Sequence, residues 1–272
     1  MLAACLLASS VAARPKLRSV GALARALSAK MKLPPGSVIY VGVPVWKGHG
    51  SHDVLCAGIR SELDHALSAA NPSTKVLSQL QVENGFLAAG LQPLDTYFIL
   101  GPSTAVPIGR RIGAAAVVTS SIREKNGAFL LTVQVFQMAR GKRLAKLKAL
   151  LPDSPRMQAL FSQPERPIKG STGAYMAGIG GVRLPRCVRC RNPAYPKGIY
   201  AKGTVILVIT VGTDGRARNI ELLKGLAGRA GAALDRAAES TVRSWTFRPA
   251  KGPSGQLVAV RMPVEINFRQ DP

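Results

Sequence analysis

The chain has 272 residues, with 37 Lys and Arg against 14 Asp and Glu, a formal charge of +23, 47% apolar residues and only 5% aromatic ones. It is too apolar for a disordered basic tail and long enough for two ordinary domains. No apolar run reaches the roughly 18–20 residues that span a bilayer, and four cysteines are too few to build a disulfide miniprotein.

The positive charge is shared about equally by the two halves of the chain and is scattered singly, apart from residues 140–148. A surface this cationic attracts polyanions, among them anionic cell-wall polymers. A nucleic-acid reader would interleave aromatic stacking platforms with its cations. Those are missing here, so no specific nucleic acid is expected.

Residues 1–13 read MLAACLLASSVAA before turning basic at Arg14-Pro15-Lys16. An apolar stretch ending in small residues resembles a secretory signal and its cleavage site, giving a signal-like segment over 1–18. Leu2-Ala3-Ala4-Cys5 also fits a lipoprotein box with Cys5 as the acylated residue. No charged residue follows Met1, which fits a true start upstream and, with it, a signal, a lipoprotein or an inner-membrane anchor. All three place the protein in the periplasm or cell envelope.

Residues 19–150 alternate helical and strand patterns. Val20, Leu23, Leu27 and Met31 recur at helical spacing until Pro34-Pro35-Gly36 stops the run. Residues 38–45 form a β-branched strand. Asp53 is placed to cap a helix carrying Leu55, Ile59, Leu63 and Leu67, which ends at Asn71-Pro72. A short helix is expected over 103–113 and a strand over 114–121. Asn126-Gly127 then signals a hairpin into the alternating Phe129, Leu131, Val133 and Val135. Arg140-Gly141 turns into a last, lysine-studded edge strand. The expected architecture is an α/β (α+β) domain with helices packed on a mixed sheet.

Residues 151–186 are rich in Pro, Gly and Ser and read as a linker, with one helical turn around 157–161. Residues 187–272 form a smaller unit. In it, residues 203–211 (GTVILVITV) are apolar on both faces, so both faces must be covered. Thr213-Asp214-Gly215 makes a hairpin, and a helix beginning near Ala232 carries Leu234, Ala238, Val242 and Trp245 on one face. Val258, Val260, Met262, Val264, Ile266 and Phe268 then alternate with Ala259, Arg261, Pro263, Glu265 and Asn267, putting one face in the core and the other in water. Pro263 cannot donate to a ladder on its side, which marks an edge strand.

Two constellations test for chemistry. His49, His52, Cys56 and His65 fall close together, but two of the histidines sit in a Gly-rich turn and no second cysteine completes a metal set. Cys187 and Cys190 stand alone as a pair, as a disulfide or two plain thiols. There is no phosphate loop, nucleophile elbow or dinucleotide fingerprint. Neither catalysis, metal nor cofactor is expected.

The smaller unit resembles the carboxy-terminal domain of TonB energy transducers through Asn192-Pro193-Ala194-Tyr195-Pro196, GTVILVITVGTDGRARNIELL, LDRAAESTVRSWTFRPAK and a strand ending Pro263-Val264-Glu265-Ile266-Asn267-Phe268. The resemblance spans residues 191–269. It implies a periplasmic domain that binds an extended segment of an outer-membrane receptor as an added strand. It assigns the peptide-facing backbone to Leu257, Val258, Ala259, Val260, Arg261, Met262 and Pro263, with Asn192, Pro193, Tyr195 and Pro196 in a lead-in segment nearby. Residues 19–150 resemble the envelope-lipoprotein domain shared by CsgG, FlgO and LpoB, through VIYVGVPVW, CAGIRSELDHAL and IGRRIGAAAVVTSSIREKNGAFLLTVQVFQMARGKRL. Together these imply a non-enzymatic envelope protein of the TonB type, partnered by an outer-membrane TonB-dependent receptor and engaged in energy-coupled transport. The alternative is an envelope assembly or regulatory scaffold that uses its TonB-like unit to dimerise or to hold another envelope protein.

Overall fold

The computed structural model describes residues 17–48, 52–88, 102–164, 166–170 and 172–269. The signal-like segment before residue 17, with Cys5, lies outside them, as does His49.

Helix α1 (Val20–Met31) starts where Ser19 accepts a hydrogen bond from the Ala22 N–H, and it buries the Val20, Leu23, Leu27 and Met31 stripe. The chain then forms β1 (Val38–Val41), β2 (Val45–Trp46), α2 (Asp53–Ala70), β3 (Lys75–Val76), α3 (Gln79–Ala88), α4 (Pro102–Arg111), β4 (Ala116–Glu124), β5 (Ala128–Gln137) and β6 (Arg143–Pro152). The expected strand over 38–45 breaks into β1 and β2, which pair with β4 at separate places. Asp53 does not cap α2: the N-cap is His52, without a side-chain hydrogen bond, and Asp53 is the first helical residue. Asn126 and Gly127 have φ of +51° and +65°, the left-handed pair that a tight hairpin needs between β4 and β5.

The larger sheet runs β3-β1-β4-β5-β6, with β2 also on β4. On one face α1, α2 and α5 (Pro155–Phe161) enclose a core of Leu23, Leu27, Ile59, Leu63, Val118, Leu131 and Val133. Arg60 ties α2 to the sheet by donating from Nε to the Val41 carbonyl. Its neighbour Asp64 lies one turn on, 3.6 Å from that Nε.

The segment expected as a linker packs along the protein. After α5 it adds β7 (Tyr175–Met176) and enters β8 (Arg186–Arg189). The smaller unit follows as β9 (Gly203–Val211), β10 (Ala217–Lys224), α6 (Gly228–Arg243), β11 (Thr246–Arg248), β12 (Ala250–Lys251), β13 (Leu257–Val258) and β14 (Val260–Phe268). Its main sheet has the order β10-β9-β14-β7, while β11 pairs with β8 and β12 with β13.

One face of β9 packs Val205, Leu207, Ile209 and Val211 beneath Leu234, Ala238 and Val242 of α6. The other face sends Ile206 and Val208 into a cluster with Val82 and Phe86 of α3, Ala105 and Ile108 of α4, and Val117 and Phe136 of the larger sheet. Both faces of this strand are buried, and the cover of the second face is the amino-terminal domain itself. Each fully buried aliphatic side chain there contributes about 1.5–3 kcal/mol.

Two outcomes are expected. A Cβ at Gly109 would run into Met138 Sδ and Val117 Cγ2, because α4 lies directly on the sheet. Gly109→Ala therefore lowers the unfolding free energy by about 1–3 kcal/mol in urea titrations, outweighing any gain in helix propensity. Burial pushes the Asp64 carboxyl up to about 6 from 3.8, with Arg60 and His65 pulling the other way. The folded state thus holds this proton more tightly, and stability falls as pH rises from about 4 through about 6. Asp64→Asn removes that loss: above pH 6 it gains on the order of 1–3 kcal/mol over wild type, and below about pH 4 the difference closes.

Candidate peptide-binding edge

Strand β14 pairs with β9 along its whole length, from Val260 opposite Val211 to Phe268 opposite Gly203. Among the described residues its other side is met only at the start, where Val260 and Arg261 lie in parallel register with Tyr175 and Met176 of β7. The Tyr175 N–H donates to the Ala259 carbonyl at 2.8 Å, and the Ala177 N–H to the Arg261 carbonyl at 3.4 Å. The odd-numbered residues of β14 therefore turn their main-chain groups outward. Beyond Arg261 these are the groups of Pro263, Glu265 and Asn267, and among the described residues no strand pairs with that stretch. Pro263 falls in the outward set, so its missing N–H interrupts the rim and leaves the β9 ladder whole.

The residues assigned from sequence thus divide. Leu257 and Val258 belong to β13 and pair with Lys251 and Ala250, forming a separate hairpin before the long strand. Ala259, Val260 and Arg261 lie on the edge but already carry β7. Met262 turns its main-chain groups to β9, and Pro263 begins the open stretch. The lead-in segment lies at the far end of β14: the Tyr195 ring meets Phe268 edge-on at 5.4 Å, and Trp245 Nε1 donates to the Arg191 carbonyl at 2.9 Å. Asn192 is exposed, with Pro193 and Pro196 half-buried beside Tyr195. Cys187 and Cys190 are joined by a disulfide where β8 ends.

The alternating face expected in water is not uniformly wet. Arg261 has no exposed surface, and its Nη2 donates to Glu221 Oε2 at 2.8 Å. The reason is the docking of the smaller sheet on the amino-terminal domain: Arg261 shares its face with Val208 and Ile206, and its register partner Met176 joins the same inter-domain cluster. A charge enclosed this way persists only with a hydrogen-bonded partner. Sequence pattern alone missed the β7 strand. Its trace is the short Ala174-Tyr175-Met176-Ala177 run between two glycine-rich turns.

The histidine and cysteine constellation is put to structural use. His52 stacks on Phe161 at 4.1 Å, meets Trp46 at 4.5 Å and bonds through Nδ1 to the Phe161 carbonyl. Burial, reinforced by Asp53, pushes the Cys56 thiol up to about 12, which keeps it protonated within the core. His65 bonds the Ser61 carbonyl on an exposed helix surface.

Truncating Arg261→Ala leaves Glu221 facing a void and lowers stability by about 2–4 kcal/mol in urea unfolding. The paired change Arg261→Met with Glu221→Leu removes both charges and recovers most of that loss.

Several solved structures resemble parts of this fold. The LpoB C-terminal domain from Salmonella enterica is 23% identical, covers 49% of this chain and 96% of its own, and has a TM-score of 0.43. The corresponding Escherichia coli domain is 25% identical over 49% of this chain and 98% of its own, with a TM-score of 0.40. The Pseudomonas aeruginosa TonB CTD is 23% identical over 34% of this chain and 89% of its own, with a TM-score of 0.28. No curated protein matches the chain. The unit that carries the open edge is TonB-like: residues 191–270 match the family described as Gram-negative bacterial TonB protein C-terminal.

Proposed function

We propose that this is a non-enzymatic cell-envelope protein whose TonB-like unit takes up an extended peptide of an outer-membrane receptor as a new strand on the outer side of β14. The observation that carries the reading is the state of that edge. Among the described residues it is unpaired after Arg261, and before that it is covered by a strand of only two residues. An added strand gains affinity from main-chain hydrogen bonds and specificity from alternate side chains. The contact surface is the rim from Ala259 to Asn267, shifted toward the carboxy terminus because Leu257 and Val258 are engaged with β12.

The incoming peptide would lie parallel to β14, as β7 does, and would replace β7 to reach Ala259 and Arg261. That exchange is inexpensive, since each β7 hydrogen bond contributes about 0.5–1.5 kcal/mol net. Pro263 offers the visitor a carbonyl and no N–H, so the Glu265 and Asn267 groups complete the ladder. Among the described residues no helix is long and apolar enough to cross a membrane. In this reading, an anchor or export signal is the business of the amino-terminal segment.

NMR titration of the labelled protein with extended peptides from the amino-terminal boxes of TonB-dependent receptors should shift the amides of Arg261, Glu265 and Asn267 and release those of Tyr175 and Ala177. Tyr175→Pro removes the N–H given to Ala259 and should tighten peptide binding about fivefold. Shifts confined to other surfaces, or none at saturating peptide, would overturn the proposal. Concentration-dependent self-association through β14 would instead favour the scaffold reading.

A further inference from the structure

The β8–β11 pair and the β12–β13 hairpin border a groove of roughly 810 Å³ lined by Arg183, Arg186, Arg248, Lys251, Leu184 and Pro249, among others. Its lining holds four cations and no carboxylate. Arg186 and Arg248 are direct register partners across the antiparallel pair, an arrangement that brings two guanidinium groups side by side and is destabilising by itself. The Arg183 N–H donates to the Lys251 carbonyl, which brings a third and fourth cation together. All four side chains are exposed, and none forms an ion pair with another described residue. The nearby hairpin carries Asp214, but its carboxylate is held by Arg218 at 2.6 Å.

Large aliphatic side chains stand exposed in the same place. Leu184 lines the groove and is 60% exposed, Val188 lies on β8 between the two disulfide cysteines and is 68% exposed, and Leu257 faces Lys251 across β12–β13 and is 51% exposed. A soluble polyanion would need only the cations. Cations interleaved with bare aliphatic side chains match the boundary between phosphate headgroups and acyl chains.

From this geometry we infer that the face formed by Arg183, Arg186, Arg248 and Lys251, with Leu184, Val188 and Leu257, docks on an anionic phospholipid surface. Arg guanidinium groups fork onto headgroup phosphates, while the aliphatic side chains enter the interfacial layer. The inference is independent of peptide capture, because the groove and the β14 rim share no residue.

The test is sedimentation of the whole protein with phosphatidylcholine vesicles, with and without about one-third phosphatidylglycerol. Binding is expected to the anionic vesicles only, and to weaken strongly near 0.5 M salt. Replacing all four cations by Gln should weaken binding at least about tenfold. A variant with Lys142, Arg143, Lys146 and Lys148 changed to Gln has the same net charge and should bind within about twofold of wild type. Leu184→Ser with Leu257→Ser keeps every charge and should still weaken vesicle binding several-fold, while leaving unchanged any binding to soluble polyphosphate. Equal losses for the two charge variants would show only a diffuse field, and an unaffected leucine variant would point to a soluble polymer. Either result overturns the proposal. Unchanged thermal melts keep misfolding out of the comparison.

Discussion

Strand β9 has to be covered twice, and much of the architecture follows from that requirement. Its odd-numbered side chains are satisfied by α6, but Ile206 and Val208 point the other way and would otherwise leave an apolar stripe in water. A single hairpin–helix–strand unit has only one helix to offer. The second cover comes from α3, α4 and the back of the larger sheet, and α4 can lie close there because Gly109 has no side chain. Arg111 then reaches across to the Leu222 carbonyl of β10, adding a polar tie at the margin. The amino-terminal domain thus serves as the second wall of the smaller unit's core.

This docking also decides what the last strand can offer. Because one face of β14 is closed by α6 and part of the other by the amino-terminal domain, its side chains contribute little free surface. Its hydrogen-bonding edge remains accessible. Arg261 shows the cost of the arrangement: a cation at a position that is water-facing by pattern becomes enclosed, and the structure retains it by placing Glu221 on the far side of β9. Buried pairs of this kind add little net stability but fix register, since a slip of β14 by one residue would carry the guanidinium away from its carboxylate.

Local periodicity made much of this legible. The stripe of α1, the left-handed Asn126-Gly127 hairpin, the doubly apolar β9 and the alternation of β14 all depend on near neighbours in the chain, and their residues state them directly. Features set by distant contacts were not readable. Nothing near Arg261 announces its burial, because the inter-domain cluster on its face is assembled from segments far apart in sequence and its partner lies 40 residues away. Two-residue β7 is too short to show a period. Helix α3 carries Val82 and Phe86 at helical spacing but little other contrast between faces. The placement of Tyr195 against Phe268 follows from the path of the lead-in, which Trp245 holds by the Arg191 carbonyl.

An accessible edge is also a hazard, since it invites a second copy as readily as a ligand. Three features of β14 bias the choice. Pro263 removes a donor from the middle of the rim, so an antiparallel twin would meet the same gap from both chains. Glu265 and Asn267 put exposed polar side chains on the stretch that follows. At the other end β7 holds Ala259 and Arg261 in parallel register, and antiparallel self-pairing would have to displace it while losing that register. A single extended peptide entering parallel reproduces the bonds of β7 and carries on past them. On the proposed reading, the short covering strand is a placeholder, keeping the main chain at Ala259 and Arg261 satisfied while leaving it exchangeable for a longer strand of the same direction.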